Sequence, residues 1–385
     1  MSPVEPVEPV EPPRHRLRYL KIAAWVSAGL VLLLVAGGGW VYLRLNANIR
    51  SVDPGRDLGT DRPPSFPGVL DVLVIGTDSR QGLGNRYGDD GSVGHADTNL
   101  LVHVSADRSN ATVISIPRDL MVAIPDCYTA SGQRVPGSPR DMFNVSLGQE
   151  GRRPGCVMKT VEDLTGIRVD HFVQVDFNAV KTMSDALGGV PVCTTEPIDD
   201  VKSGLHLVAG HDVLKGEQAL AFVRTRHGVG FGSDLDRIKL QQQFVASMIR
   251  KIKSTDTLTN PKKLISVADA ATKALTVDPD ISSLRSLTGL ALEINQVDSA
   301  HITFTTVPVL DSPLAGESGR LVLQEPAAHD LFAWVAGDHA LSSRSRPGRT
   351  GTTPSGSPSG PASTPGAHPP TGLSTLGADQ PDCAG

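Results

Sequence analysis

Aromatic side chains are scarce in this sequence: Phe, Trp and Tyr supply 4% of its 385 residues. That leaves too little ring surface for a platform on which single-stranded nucleic acid would stack. Cysteine is rarer still, at four residues, which excludes a dense disulfide scaffold. No C-x-x-C or Cys/His cluster is present to hold zinc. Charge of one sign is not in large excess. Against 41 Asp and Glu stand 36 Lys and Arg, and a net charge of −5 gives no reason to expect nucleic acid as a partner. The Walker loop, H-E-x-x-H and G-x-S-x-G are missing as well. The segment Gly82-Leu-Gly84-Asn-Arg-Tyr-Gly88 lacks the spacing of a dinucleotide loop and reads as a flexible connection.

The one long apolar run is residues 22–43, 22 positions without a charge. As a helix it spans roughly 33 Å, enough to cross a bilayer core. Arg14, Arg16, Arg18 and Lys21 precede it, whereas Arg44 and Arg50 follow. This asymmetry predicts a single-pass anchor in the cell membrane, with residues 1–21 a cytoplasmic Pro/Glu-rich and basic arm and the rest outside. A cleaved signal peptide is the alternative, but the run is long and no small-residue cleavage site follows. Residues 44–65 read as a linker and 66–340 as one large extracytoplasmic domain. Residues 342–385 contain 30 Ser, Thr, Pro or Gly in 44 positions, so 341–385 reads as a disordered tail.

Outside the cytoplasm, disulfides persist. Cys127 and Cys156 bracket a polar Pro/Gly-rich stretch, and joining them is worth roughly 3–4 kcal/mol in the loop-entropy account. Cys193 is then left to pair with Cys383, pinning the tail to the domain.

Within 66–340, Leu70–Ile75 is an apolar run, broken only by Asp71, that ends at Gly76 as a buried strand would. Residues 98–104 and 111–116 form a strand pair around a turn-rich connection. Residues 157–166 have helical spacing and stop at a glycine, 171–176 alternate as a strand, and 215–223 look helical. Residues 234–253 carry one apolar stripe from Leu235 to Ile252, and a helix–strand pair follows near 282–296 and 301–307. The expected fold class is α/β: a layered α-β-α domain with a mixed central sheet, preceded by one transmembrane helix.

Charged residues gather at strand ends. Asp78 and Arg80 follow the first strand, Asp97 precedes the second, and Arg118 and Asp119 follow the third. A hairpin between the second and third strands, with the first parallel to the third, brings these to one sheet edge. Two aspartates there suit a hard divalent ion such as Mg²⁺ that keeps water and phosphate as further ligands. Downstream, Arg224 and Arg226 are two apart, and Arg237 and Gln241 stack four apart on a helix. Guanidinium forks match phosphate. The plainer alternative is ordinary ion pairing with Asp234 and Asp236.

The blocks VLVIGTDSR, ADTNLLVHVS, ISIPRDLMVAIP, VEDLTGIRVDHFVQVDF, DALGGVPV, LKGEQALAFVRTR and SDLDRIKLQQQF, in this order over about 70–250, resemble the LytR–CpsA–Psr domain. The resemblance implies a membrane-anchored phosphotransferase of the bacterial cell envelope. Such an enzyme moves a glycopolymer from a polyprenyl-pyrophosphate carrier to the C6 hydroxyl of N-acetylmuramic acid in peptidoglycan. It further implies Asp78 and Asp97 as ligands of Mg²⁺, with Mn²⁺ as its nearest substitute. Arg80, Arg118, Arg224, Arg226, Arg237 and Gln241 become the pyrophosphate-binding set, and Asp119 or Asp234 either orients the acceptor hydroxyl or fixes an arginine. The sequence departs from the family pattern at His95-Ala96, where Arg-Ser is frequent, and at Val122 and Leu240, where basic residues are frequent. A polyprenyl-pyrophosphate hydrolase and a non-catalytic module binding lipid-linked polymer remain the alternatives.

Overall fold

The computed structural model describes residues 14–79, 94–225, 234–341, 370 and 372–379. The chain forms two units, and the second begins at Asn48. In the first, α1 (Arg14–Asn48) is one continuous helix. Its stretch Lys21–Asn48 has a mean hydropathy of 2.0 and is long and apolar enough to cross a membrane. Trp25, Leu32, Leu33 and Trp40 are all exposed around it, so no single face is set aside for packing on protein.

The second unit is built on one sheet. Its strands are β1 (Arg50–Ser51), β2 (Leu70–Thr77), β3 (Ala96–Val104), β4 (Ala111–Ile116), β5 (His171–Val175), β6 (Leu275–Val277), β7 (Ile302–Thr306) and β8 (Thr375–Gly377). They lie in the order β1-β6-β5-β2-β3-β4-β7-β8. β2 is parallel to β5 and antiparallel to β3, β3 is antiparallel to β4, and β4 is parallel to β7, so the sheet is mixed as expected.

Seven longer helices accompany the sheet: α2 (Pro154–Thr165), α3 (Phe177–Ala186), α4 (Gly216–Arg224), α5 (Asp234–Lys253), α6 (Pro261–Ala274), α7 (Leu284–Asn295) and α8 (Ala327–Ala336). The two-residue period of the strands sorts their side chains to two faces. Leu73, Ile75, Leu101 and Ile114 pack with Val157 and Val161 of α2 and Leu331 and Val335 of α8. Leu70, Val72, Leu100 and Val113 pack instead with Ala246 and Ile249 of α5 and Leu290 of α7. A third cluster joins the hairpin of Val190–Thr194 and Gly210–Leu214 to Phe222 of α4 and Phe244 of α5, their rings 6.2 Å apart. α2 stops at Gly166, whose φ of +67° is open to glycine and whose N–H caps the Glu162 carbonyl.

Residues 48–65, most of the 44–65 stretch expected as a linker, belong to the second unit. Asp57 is buried and accepts from the Tyr128 N–H at 2.7 Å. Arg62 grips the buried Glu162 with three hydrogen bonds of 2.5–3.1 Å and donates to the Val169 carbonyl at 2.6 Å. The Lys159 ammonium donates to the Asp61 carbonyl at 2.9 Å. The stretch expected as a linker is a strap laid across α2. The 341–385 segment also differs from expectation, because β8 belongs to it. β8 pairs antiparallel with β7, and the buried Ala378 donates its N–H to the Ile302 carbonyl at 2.9 Å. An exposed strand edge supplies the backbone partners that Ser/Pro-rich sequence alone lacks.

Cys127 and Cys156 form a disulfide with Cα atoms 5.5 Å apart, fastening the hairpin at Cys127 to α2. Cys193 is disulfide-bonded too; its expected partner, Cys383, lies outside the described residues.

A buried imidazole marks the edge where β2 begins. His103 lies 2.8 Å from Asp71 Oδ1 through Nδ1 and 3.2 Å from Asp338 Oδ1 through Nε2. Burial pulls its pKa down, but the bonds to Asp338 and Asp71 and their charges outweigh that and raise it to about 9. Its stabilisation is therefore complete below the unfolded value of 6.5 and is lost as pH rises through about 9. The loss amounts to roughly 3 kcal/mol at about 1.4 kcal/mol per unit. Thermal melts from pH 6 to 10 should show a falling alkaline limb that His103→Gln flattens. Parallel curves would refute the role.

Candidate active site

β2, β3 and β4 deliver their polar ends to one sheet edge, as the hairpin topology requires. Pairing of Thr77 with Ala96 sets Asp78 and Asp97, the next residues along, on neighbouring strand ends. Asp78 accepts the His95 N–H at 2.9 Å. The approach is close: at Gly94, φ +77°, an added Cβ would lie 2.3 Å from the Ser79 nitrogen and from Thr77 Oγ1. Only glycine fits there. Arg118, just past β4, donates to Asp97 Oδ1 at 2.8 Å, and its Nε is 3.4 Å from Asp119. From the far side α5 supplies Arg237, nearly buried, which donates to the Asp97 backbone carbonyl at 3.3 Å.

α5 is held in register by three successive glutamines that fan out to different elements. Gln241 donates to the Val223 carbonyl of α4 at 3.0 Å. Gln242 donates to Ser115 Oγ at 2.8 Å and to the Thr305 carbonyl at 3.2 Å, tying the helix to β4 and β7. Gln243 donates to the Cys193 carbonyl at 2.5 Å. Gln241, expected as a phosphate ligand, thus joins helix to helix while also lining a narrow cleft with Asp97, Asn99 and Arg118. Arg224 closes α4 with its guanidinium 4.7 Å from the Phe177 ring centroid.

Sequence reasoning missed Arg320, whose guanidinium stands 3.9 Å from Asp119. It lies about two hundred residues away in the chain, and the Leu321 N–H bond to the Asp119 carbonyl, 3.0 Å, helps to bring the segments together. Asp119 is consequently flanked by two guanidiniums, an arrangement that fixes arginines. Arg80, Arg226, the Asp234 side chain and the loop at Gly82–Gly88 lie outside the described residues. A roomier cavity of about 450 Å³ sits at the other end of β2 beside Asp71 and His103 and contains none of Arg118, Arg224 or Arg237. The narrow cleft is the better candidate, because there the Arg118 guanidinium stands beside the Asp97 carboxylate, and a guanidinium fork suits a phosphate anion.

Over 331 residues the chain is 31% identical to the cell wall biosynthesis protein LcpA of Corynebacterium glutamicum, covering 79% of this chain and 62% of that protein. The chain thus spans less than two thirds of that relative's length. It is 28% identical over 309 residues to the polyisoprenyl-teichoic acid–peptidoglycan teichoic acid transferase TagT of Bacillus subtilis, covering 71% and 85%. In fold it resembles the LytR-Csp2A-Psr enzyme from Actinomyces oris, with a TM-score of 0.55 at 23% identity over 75% of this chain and 96% of that one. Crystalline B. subtilis TagT superposes with a TM-score of 0.52 at 24% identity, covering 75% and 99%. The family model itself matches residues 45–331, taking in the strap, the sheet through β7 and every described site residue, and the chain therefore belongs to the LytR_cpsA_psr family.

Proposed function

We propose that this protein is a membrane-anchored phosphotransferase that attaches a glycopolymer, carried on polyprenyl pyrophosphate, to the N-acetylmuramic acid 6-hydroxyl of peptidoglycan in cell wall assembly. The observation that carries the reading is the meeting of Arg118 with the Asp97 carboxylate and Arg237 with its carbonyl at one sheet edge. The names of LcpA and TagT, wall biosynthesis and transfer of polyisoprenyl-linked teichoic acid to peptidoglycan, support it.

Asp78 and Asp97 form a donor set fit for Mg²⁺, which keeps water and phosphate ligands beside one or two carboxylates. When bound, that ion would neutralise charge on the pyrophosphate. The chain's own residues do the rest. Arg118, Arg224 and Arg237 hold the phosphate oxygens, and their fixed positive charge favours the extra negative charge that develops as the acceptor oxygen reaches phosphorus. The acceptor O–P bond forms, the bond to the carrier phosphate breaks, the hydroxyl proton passes to water, and polyprenyl phosphate leaves. Asp119, set between Arg118 and Arg320, keeps those guanidiniums aimed.

Full-length protein in detergent, given a synthetic polyprenyl-pyrophosphate glycan and peptidoglycan oligomers, should release polyprenyl phosphate and label the oligomers only when Mg²⁺ is present. Release without labelling would favour a hydrolase, and neither product would favour a binding module. Arg14, Arg16, Arg18 and Lys21, just before the uncharged run 22–43, support a catalytic domain outside the cell. Protease added to intact protoplasts should then digest it, and a protected domain would reverse the topology.

A further inference from the structure

Arg224 is held from both sides by its neighbours in the chain. The Val223 carbonyl accepts from Gln241 at 3.0 Å. On the other side Thr225, fully buried, donates its hydroxyl to Asp200 Oδ2 at 3.2 Å and meets Ser203 Oγ at 2.5 Å. Asp200 is itself 2% exposed. Its Oδ1 accepts the N–H groups of Lys202 at 3.0 Å and Ser203 at 3.3 Å, and its carbonyl accepts from Gly204 at 2.8 Å. One carboxylate thus shapes the turn between the paired strands Ile198–Asp200 and Leu205–Leu207 and, with its other oxygen, grips the last turn of α4.

Nothing in the packing of α4 requires a hydroxyl at 225, because the helix already ends there with the Thr225 N–H on the Ala221 carbonyl at 2.9 Å. A buried charged acceptor is costly unless well bonded, so the Thr225 hydroxyl that bonds to Asp200 Oδ2 is held in place. Thr225 lies between Arg224 and Arg226 in sequence. Fixing it sets where the chain carries Arg224.

We propose that Asp200, acting through Thr225 and Ser203, is a positioning residue for Arg224, one of the arginines assigned to phosphate above. The proposal rests on the phosphotransfer reading above. A misplacement of about 1 Å can lower turnover by roughly 100-fold, and it acts on kcat more than on KM when the misplaced group works chiefly in the transition state.

The test compares Thr225→Val, which keeps shape and loses the hydroxyl, with Thr225→Ser, which keeps the hydroxyl, using full-length protein and polyprenyl-phosphate release. Thr225→Val should lower kcat by roughly 10–100-fold with KM within about threefold. Thr225→Ser should restore kcat to within about threefold of wild type, which a merely structural role for the threonine methyl would not produce. Should Thr225→Val fail to fold, Ser203→Ala takes its place, with an expected fall of roughly 3–10-fold in kcat at an unchanged melting temperature. Wild-type kcat in the folded variant, while Arg224→Ala has lost turnover, overturns the positioning role and leaves the phosphotransfer reading standing. Wild-type kcat in Arg224→Ala overturns both. Loss of kcat in folded Thr225→Ser also overturns the role, since its hydroxyl is intact.

Discussion

Replacing Arg118 with alanine is expected to lower polymer transfer by roughly 10²–10³, the scale for removing one preorganised donor to a developing charge. Its guanidinium sits between the Asp97 and Asp119 carboxylates at 2.8 and 3.4 Å, so it is aimed before substrate arrives. The fold should survive, because the side chain is at the rim of the sheet and not in either core layer. A matched control is Arg134→Ala, which removes an arginine of the same charge from an exposed pair with Asp126. Such pairs contribute little, and this variant should transfer at the wild-type rate. Equal rates for Arg118→Ala and wild type, with superimposable circular dichroism, would move the reaction away from this edge.

The largest expected loss of stability lies far from the site. Arg62→Ala leaves the Glu162 carboxylate, whose side chain is 0% exposed, with its main cation gone. Breaking one half of a buried pair costs about 3–5 kcal/mol, which for a domain of this size lowers the melting temperature by roughly 10 °C. The Val169 N–H still reaches Glu162 Oε1 at 3.0 Å and softens the loss. The double variant Arg62→Ala/Glu162→Gln should recover part of it, since an uncharged amide is cheaper to bury than an unpaired carboxylate. A melt of Arg62→Ala that overlays wild type would show the strap to be dispensable. A soluble fragment begun at residue 66 omits Arg62 and should inherit the same defect.

The central strands and α5 were legible in the sequence because each carries its own signal over enough residues: Ala111–Ile116 is rich in β-branched side chains, and the stripe from Leu235 to Ile252 fits one helix. The site followed from them, since a hairpin between β3 and β4 obliges Asp97 and Arg118 to share an edge. What the sequence hid was short or distant. β1 and β6 have two and three residues, too few for any period. Their pairing depends on a parallel partner supplied from more than 200 positions away. The strap was read as a linker because Arg62 looks like any polar linker residue until α2 brings Glu162 beneath it. Arg320, Asp200 and Ser203 sit in turn-rich stretches where polar residues are ordinary, so their types alone point nowhere.

The two outermost strands of the sheet carry a consequence for how the protein behaves in a crowded envelope. A long strand at the rim of a sheet offers a row of open amide and carbonyl groups to any extended chain that passes, which is how strand-by-strand aggregation begins. Here β5 and β7, the last strands of any length, are each screened: β7 by β8, of three residues, and β5 by β6 and then β1, of three and two. The rims left over are too brief to template a foreign strand, and both are made from segments at the extremities of the folded unit. β8 also falls beyond the residues shared with the family model. A version cut at residue 341 would bare the Thr303 and Thr305 backbone of β7, and such a molecule would keep its catalytic edge while losing its protection against sticking to its own kind.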